Sequence, residues 1–357
     1  MSQRLTGPVL VVGTGLLGTS VALACRRAGL ETLLADVAAD HVRTATGLGA
    51  GRPLRDDDAP QVVVVAVPPD HLADAVAAAL LTTDAVVTDV GSIKTGPLAA
   101  VAAEVSPGEL TRYVGSHPMA GSERSGPLAA SEALFDGRPW AVTPHEASAP
   151  DAVELVEELA RVCGGVPLRL TPGEHDRAVA RVSHLPQLVA VLMAARLAEA
   201  PPEHLALSGQ GVRDVTRIAG SDPGLWRQIV GGNAEAVLTM LGELRGELDA
   251  LMAAVGSGSG EALERMLERG VAGTRAIPGK HGGTPAPTAP LYVSVPDHPG
   301  ELARLFTDAG ESGVNIEDVR IDHDPGRETG LVELVVEEAR ADLLLTALES
   351  RGWVAHR

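Results

Sequence analysis

The chain has 357 residues, of which 45% are hydrophobic and 21% charged, with a formal net charge of −18. That length predicts two or three domains with cores of their own, and the composition excludes a largely disordered polymer. The acidic surplus and an aromatic content of 2% exclude a basic polyanion-binding face and a stacking platform for single strands, so no nucleic-acid partner is expected. Two cysteines, Cys25 and Cys163, are too few for a disulfide framework and lack metal-ligand spacing, which fits a reducing cytoplasm.

Residues 5–25 carry no charged side chain and are long enough to imitate a membrane span. Gly13, Gly15 and Gly18 within the run argue for a turn between a strand and a helix, so neither signal peptide nor membrane anchor is expected. Short aliphatic runs at 8–12, 32–35, 61–67 and 85–88 read as parallel strands buried on both faces. Helical patterns at 16–28, 38–46, 71–81 and 95–104 alternate with them, and two more strands are expected at 113–115 and 139–143. This βα alternation implies an α/β, Rossmann-type doubly wound sheet, which we assign to residues 1–171.

From residue 151 onward the pattern turns to long helices, at 152–162, 173–197, 204–218, 223–251 and 260–268, with one strand at 166–170. Residues 172–277 are expected to form an all-α domain for substrate and dimerisation, although a monomeric bundle has the same period. Residues 278–290, rich in Pro and Gly, read as a linker. The last module, 291–357, shows strand 291–295, helix 299–309, strand 316–321, a turn at 324–326, strand 331–337, helix 341–350 and strand 353–356. The order βαββαβ is ferredoxin-like.

Gly13-Thr14-Gly15-Leu16-Leu17-Gly18 satisfies GxGxxG between an aliphatic run and an amphipathic helix. The first glycine permits the turn, the second lets backbone N–H groups approach a pyrophosphate, and the third allows close helix packing. Asp36 stands at the end of the second strand, where a carboxylate accepts from ribose hydroxyls and repels a 2′-phosphate, so NAD is expected rather than NADP. Asp89-Val90-Gly91-Ser92-Ile93-Lys94 and Gly115-Ser116-His117-Pro118-Met119-Ala120-Gly121 close the next strands, pointing Ser92 and His117 at one crevice where a hydroxyl-proton acceptor would sit.

Farther on, Arg213, Asp214 and Arg217 fall on one helical segment, with Arg213 and Arg217 on one face. A chain of charge −18 that binds an anion needs such guanidinium groups locally. His175, His184 and His204 lie in the same region, and Ser183-His184-Leu185-Pro186 is expected to interrupt a helix and aim His184 into a cleft. No metal site is expected.

Five ordered motifs, GTGLLGTS (13–20), DVGSIK (89–94), GSHPMAGSE (115–123), SHLPQ (183–187) and RDVTRIAGSDPGLW (213–226), resemble the prephenate/arogenate dehydrogenase family of tyrosine biosynthesis along essentially the whole chain. Residues 293–300 and 313–316 resemble an ACT domain. Thr19 and Gln187 depart from the residues frequent in the family, glycine and histidine. The resemblance implies NAD-dependent oxidative decarboxylation of prephenate. In it His117 accepts the hydroxyl proton, Ser92 orients the hydroxyl or the imidazole, Arg217 binds the ring carboxylate and His184 contacts substrate. It implies Gly13, Gly15, Leu16, Leu17, Gly18 and Asp36 around the cofactor, a cytoplasmic homodimer, and a tyrosine effector at Asp297, His298, Gly300 and Asn315. Trp226 is a candidate to close the pocket, from the same or a partner subunit, or else a packing anchor. Arogenate in place of prephenate, a hydroxyacid or imine reductase, and a non-catalytic NAD and amino-acid sensor are the competing readings.

Overall fold

A computed structural model describes residues 4–120, 126–277, 287–322 and 329–357. It divides into two compact units, 1–263 and 264–357. The first begins with β1 (Val9–Val12), α1 (Leu16–Arg27), β2 (Thr32–Ala35), α2 (Ala39–Gly47), β3 (Arg52–Pro53), β4 (Val62–Val65), α3 (Leu72–Thr82) and β5 (Val86–Asp89). These strands form a parallel sheet in the order β3-β2-β1-β4-β5. Alternate residues feed the two faces. Val9, Val11, Val62 and Val64 pack with Val21, Ala22 and Cys25 of α1, while Leu10, Leu33, Val63 and Val65 pack with Leu72, Val76 and Leu80 of α3. A strand covered on both sides has no polar face, so the four valines of β4, all fully buried, read as an unbroken apolar run. The uncharged stretch 5–25 is thus accounted for by β1, the glycine turn and α1.

Next come α4 (Thr95–Glu104), α5 (Pro107–Leu110), β6 (Gly115–Pro118), β7 (Pro139–Thr143), α6 (Pro150–Val162) and β8 (Val166–Arg169). β6 runs antiparallel to β7 and β7 parallel to β8, and a parallel bridge between Val87 and Tyr113 continues the first sheet toward β6. His117 lies within β6, because that strand extends to Pro118 rather than ending at 115.

The expected helix 173–197 is one rod with a defect: α7 (Pro172–Val179), a π turn at Ala180–His184, and α8 (Leu185–Leu197). Pro186 therefore does not interrupt it. The wide turn absorbs the missing donor and the clash of the proline ring with the preceding turn. By length and composition the stretch Pro172–Leu197 could cross a bilayer, with a mean hydropathy of 1.4. Its first half nevertheless buries His175, Asp176 and His184 among polar partners.

The expected helix 204–218 is three pieces, α9 (Pro202–Leu205), α10 (Gln210–Thr216) and a 3-10 turn Arg217–Gly220, broken at Ser208-Gly209 where glycine forfeits helix propensity. The expected helix 223–251 divides at Asn233 into α11 (Pro223–Gly232) and α12 (Ala234–Ser257), followed by α13 (Gly260–Arg275). Gly231-Gly232 weakens the helix there.

The second unit holds β9 (Thr288–Pro296), α14 (Glu301–Glu311), β10 (Ile316–Asp322), β11 (Thr329–Glu337), α15 (Glu338–Ser350) and β12 (Val354–His356). Its antiparallel sheet has the order β10-β11-β9-β12, the ferredoxin-like arrangement. Ala289, Leu291, Val293 and Val295 alternate into the core beneath Leu305, Leu344 and Leu348. β9 begins at Thr288, so residues 288–290 are paired strand and not linker; Ala289 is buried and pairs with Val336. Residues 278–286 of the expected linker and the expected turn at 324–326 lie outside the described residues. α14 starts after Gly300, whose φ of +97° ends the preceding turn, so Pro299 is not in its first turn.

Candidate active site

The carboxyl ends of β1 and β2 form the first half of the site. Gly13 has a φ of +94°, and a Cβ on it would stand 2.4 Å from the Ala66 carbonyl oxygen, while a Cβ on Gly18 would stand 1.9 Å from that of Gly13. Side chains at these two positions would force the turn open. Gly15 differs, since no atom lies within 4 Å of its Cβ position and no side chain caps α1 there. The N–H groups at the start of α1, those of Leu16 and Leu17 included, are left for an anion at the positive end of the helix.

Asp36 fixes the neighbouring wall. Its Oδ2 accepts from the Thr14 N–H at 2.6 Å and the Thr14 hydroxyl at 3.0 Å, and its Oδ1 from the Ala38 N–H at 2.8 Å. Burial opposes its ionisation, but these bonds hold its pKa below the usual carboxylate range. Thr19 donates its hydroxyl to the Thr14 carbonyl at 2.9 Å, tying the turn together from within. Both features fit a dinucleotide: room for a pyrophosphate over Gly15 and a fixed anion beside the ribose position.

The second half stands on a buried ion pair. Lys94 Nζ contacts Asp89 Oδ1 and donates to the Ser116 carbonyl at 2.7 Å. Tyr113 OH donates to Asp89 Oδ2 and the Gly91 N–H to Oδ1, both at 2.8 Å. Burial pushes the Lys94 pKa down against the pull of Asp89.

Above it, His117 Nδ1 lies 2.9 Å from His175 Nε2, and His175 Nδ1 lies 2.9 Å from Asp176 Oδ1. Asp176 also accepts from the Lys94 and Thr95 N–H groups at 2.9 and 2.8 Å. Burial holds the pKa of His117 well below the ordinary imidazole value; His175, Lys94 and His184 add to this and Asp176 opposes it. His117 is uncharged at neutral pH.

His184 follows the opposite logic. The Asn233 amide nitrogen donates to the Asp176 carbonyl at 2.8 Å and lies 3.2 Å from His184 Nδ1. With Nδ1 accepting from that amide, the His184 proton resides on Nε2. Burial lowers its pKa to about 4, and Trp226 meets the ring edge-on at 6.0 Å between centroids.

Ser92 is half-buried and makes no hydrogen bond to a described group; the Nδ1 of His117 is engaged by His175 instead. Arg217 opens the 3-10 turn that continues directly from α10. It lines a groove of about 410 Å3 with Leu185, Pro186, Val189 and Ile218. Leu185 adjoins His184 in the chain. Among the described residues no group of three or more His, Cys, Asp or Glu is arranged for a metal.

Four residues of the cluster escaped sequence reasoning in their present role: Lys94, His175, Asp176 and Asn233. One signal was available. Thr171 and Glu174 form a capping box at the start of α7, which sets His175 and Asp176 in its first turns. The contact with His117, 58 residues away, has no local signature.

Residues 21–168 match the family model "Prephenate dehydrogenase, nucleotide-binding domain", and residues 171–269 match "Prephenate dehydrogenase, dimerization domain". "Probable prephenate dehydrogenase NovF" of Streptomyces niveus is 35% identical over 359 residues, covering 97% of this chain and 99% of its own. The prephenate dehydrogenase of Bacillus subtilis is 29% identical, covering 89% of each chain. Among solved structures, prephenate dehydrogenase from A. aeolicus in complex with hydroxyphenyl propionate and NAD+ is similar with a TM-score of 0.70 and 28% identity, covering 77% of this chain and 100% of that one. The arogenate dehydrogenase of Synechocystis gives a TM-score of 0.65 at 26% identity, covering 75% and 98%. The two matched segments carry Asp36 and His117 on one side and His175, His184 and Arg217 on the other, and with a relative aligned from end to end the chain belongs to the prephenate dehydrogenase family.

Proposed function

We propose that the chain is an NAD-dependent prephenate dehydrogenase, oxidising the hydroxyl-bearing ring carbon of prephenate with loss of CO2 to give 4-hydroxyphenylpyruvate. The observation that carries this reading is His117, an imidazole kept uncharged at the end of a strand beside the nucleotide-binding sheet. Gly13, Gly15, Leu16, Leu17 and Gly18 hold the pyrophosphate, and Asp36 takes the ribose hydroxyls. NAD+ held there would supply the hydride acceptor. His117 accepts the hydroxyl proton on Nε2 as the carbonyl forms, a contribution of about 10²- to 10⁴-fold in rate. Ser92 orients the substrate hydroxyl, and His184 donates from Nε2 to substrate. Arg217 holds the ring carboxylate, a pairing worth on the order of 1.5 to 3 kcal/mol. Aromatisation of the ring drives the release of CO2.

The helical part assembles a cytoplasmic homodimer; Leu192, Leu238, Met252 and Val255 are exposed apolar residues available to it. The second unit acts as an ACT-type effector domain taking tyrosine at Asp297, His298, Gly300 and Asn315. The left-handed Gly300 at the start of α14 and the Asn315 amide, bonded to Glu317 at 2.7 Å, support that reading. Arogenate is the second reading, supported by the likeness to the arogenate dehydrogenase of Synechocystis; Gln187 leaves the side-chain preference open. NADH formation, followed by near-ultraviolet absorbance with prephenate and then arogenate, tests both. Turnover of prephenate is expected, preference for arogenate selects the second reading, and turnover of neither refutes the proposal.

A further inference from the structure

We infer that His175 and Asp176 are positioning residues that set the tautomer of His117 and stabilise its protonated form. The inference rests on His117 being the base. Both ring nitrogens of His175 are engaged, Nε2 by His117 and Nδ1 by Asp176, so the pair acts on His117 rather than on substrate. Their order fixes the direction of every proton between them. Asp176 accepts N–H donors from Lys94 and Thr95 at the start of α4, where the helix dipole favours a carboxylate. An ionised Asp176 only accepts, so the His175 proton resides on Nδ1, and the bare His175 Nε2 accepts from His117 Nδ1. That leaves the His117 Nε2 lone pair as the basic site. A ring free to turn, or to carry its proton on Nε2, would present a donor to the hydroxyl and could not remove its proton.

When the substrate O–H bond breaks, the new N–H bond forms on Nε2 of His117, and the electron pair of the C–H bond leaves as hydride to NAD+. The resulting imidazolium keeps Nδ1–H on His175, whose own Nδ1–H remains on Asp176. The groups acting on His117 are Lys94 from the loop before α4, His175 and Asp176 from α7, and His184 from the π turn. Asp176 is the only anion of this set, so the charge that forms on His117 depends on it.

The test is a variant series in the full chain. His175→Asn keeps an amide near Asp176 and removes the atom facing His117; His175→Gln places an amide oxygen where Nε2 was. We expect His175→Asn to lower kcat about 10- to 100-fold with NADH affinity, read by fluorescence titration, and Tm near wild type, and His175→Gln to recover most of that loss. Asp176→Asn should lower kcat and move the acidic limb of kcat/KM to lower pH, because the imidazolium loses its counter-charge. Wild-type kcat in His175→Asn, equal impairment in both His175 variants, or an unmoved limb in Asp176→Asn overturns the inference. His117→Asn, measured alongside, separates the two claims. If it retains turnover, the base assignment itself fails; if it loses turnover while His175→Asn does not, only the positioning role falls.

Discussion

Replacement of Lys94 by methionine removes the cation from the floor of the site while nearly preserving volume. Lys94 and Asp89 side chains are 1% and 0% exposed, so water cannot take over the role of the ammonium. The Asp89 carboxylate would retain the Tyr113 hydroxyl and the Gly91 N–H, each at 2.8 Å, and the Ser116 carbonyl would lose its donor. Breaking one side of a buried pair costs about 3 to 5 kcal/mol, and the surviving donors argue for the lower end. For a cooperative unit the size of residues 1–263, with roughly 2.1 cal/mol/K of unfolding entropy per residue, about 3 kcal/mol corresponds to a Tm lower by about 5 °C. Differential scanning calorimetry at pH 7.5 reads this directly. The double variant Lys94→Met/Asp89→Asn removes the stranded charge and should regain more than half of the loss. A single variant melting within 1 °C of wild type, or a double variant no better than the single one, would show that the stranded carboxylate is not what costs stability.

Gly18→Ala should weaken NAD binding by at least about tenfold in calorimetric titration, since its Cβ would stand 1.9 Å from the Gly13 carbonyl oxygen and the turn must open; wild-type affinity would mean that the turn yields at no cost. Arg217→Ala should raise the prephenate KM about 10- to 100-fold with little change in kcat, and an unchanged KM would put the ring carboxylate elsewhere. His184 has a folded-state pKa of about 4, below the ordinary imidazole value. The unfolded chain therefore binds this proton first, and stability falls as pH drops from about 6.5 toward 4, by about 2 kcal/mol at pH 5 for this group. His184→Gln should flatten the Tm profile across that window, and a profile as steep as wild type would assign the acid sensitivity to other groups.

Local physics suffices for much of this protein. Buried parallel strands must be apolar on both faces, so β1, β2, β4 and β5 are legible as aliphatic runs, and a turn that excludes every Cβ at 13 and 18 is legible as glycines. The alternation of β9 and β11 in the second unit is equally plain, because one face is core and the other is not. The helical part was harder to read. The break at Asn233, whose side chain reaches Asp176 and His184, and the π turn that carries Pro186 through a continuous rod depend on where side chains find tertiary partners, which apolar period does not encode. Gly232 illustrates this: a Cβ there would meet Ile93 Cδ1 at 2.2 Å, a demand imposed by a residue 139 positions away. The candidate site divides along the same line. His117, Ser92 and His184 stand in recognisable local contexts, whereas the protonation of each imidazole is decided by what reaches its Nδ1, His175 in one case and Asn233 in the other. A hydrogen bond between distant segments leaves no trace in spacing or composition, so only the folded chain determines which group meets the Nδ1 of each histidine.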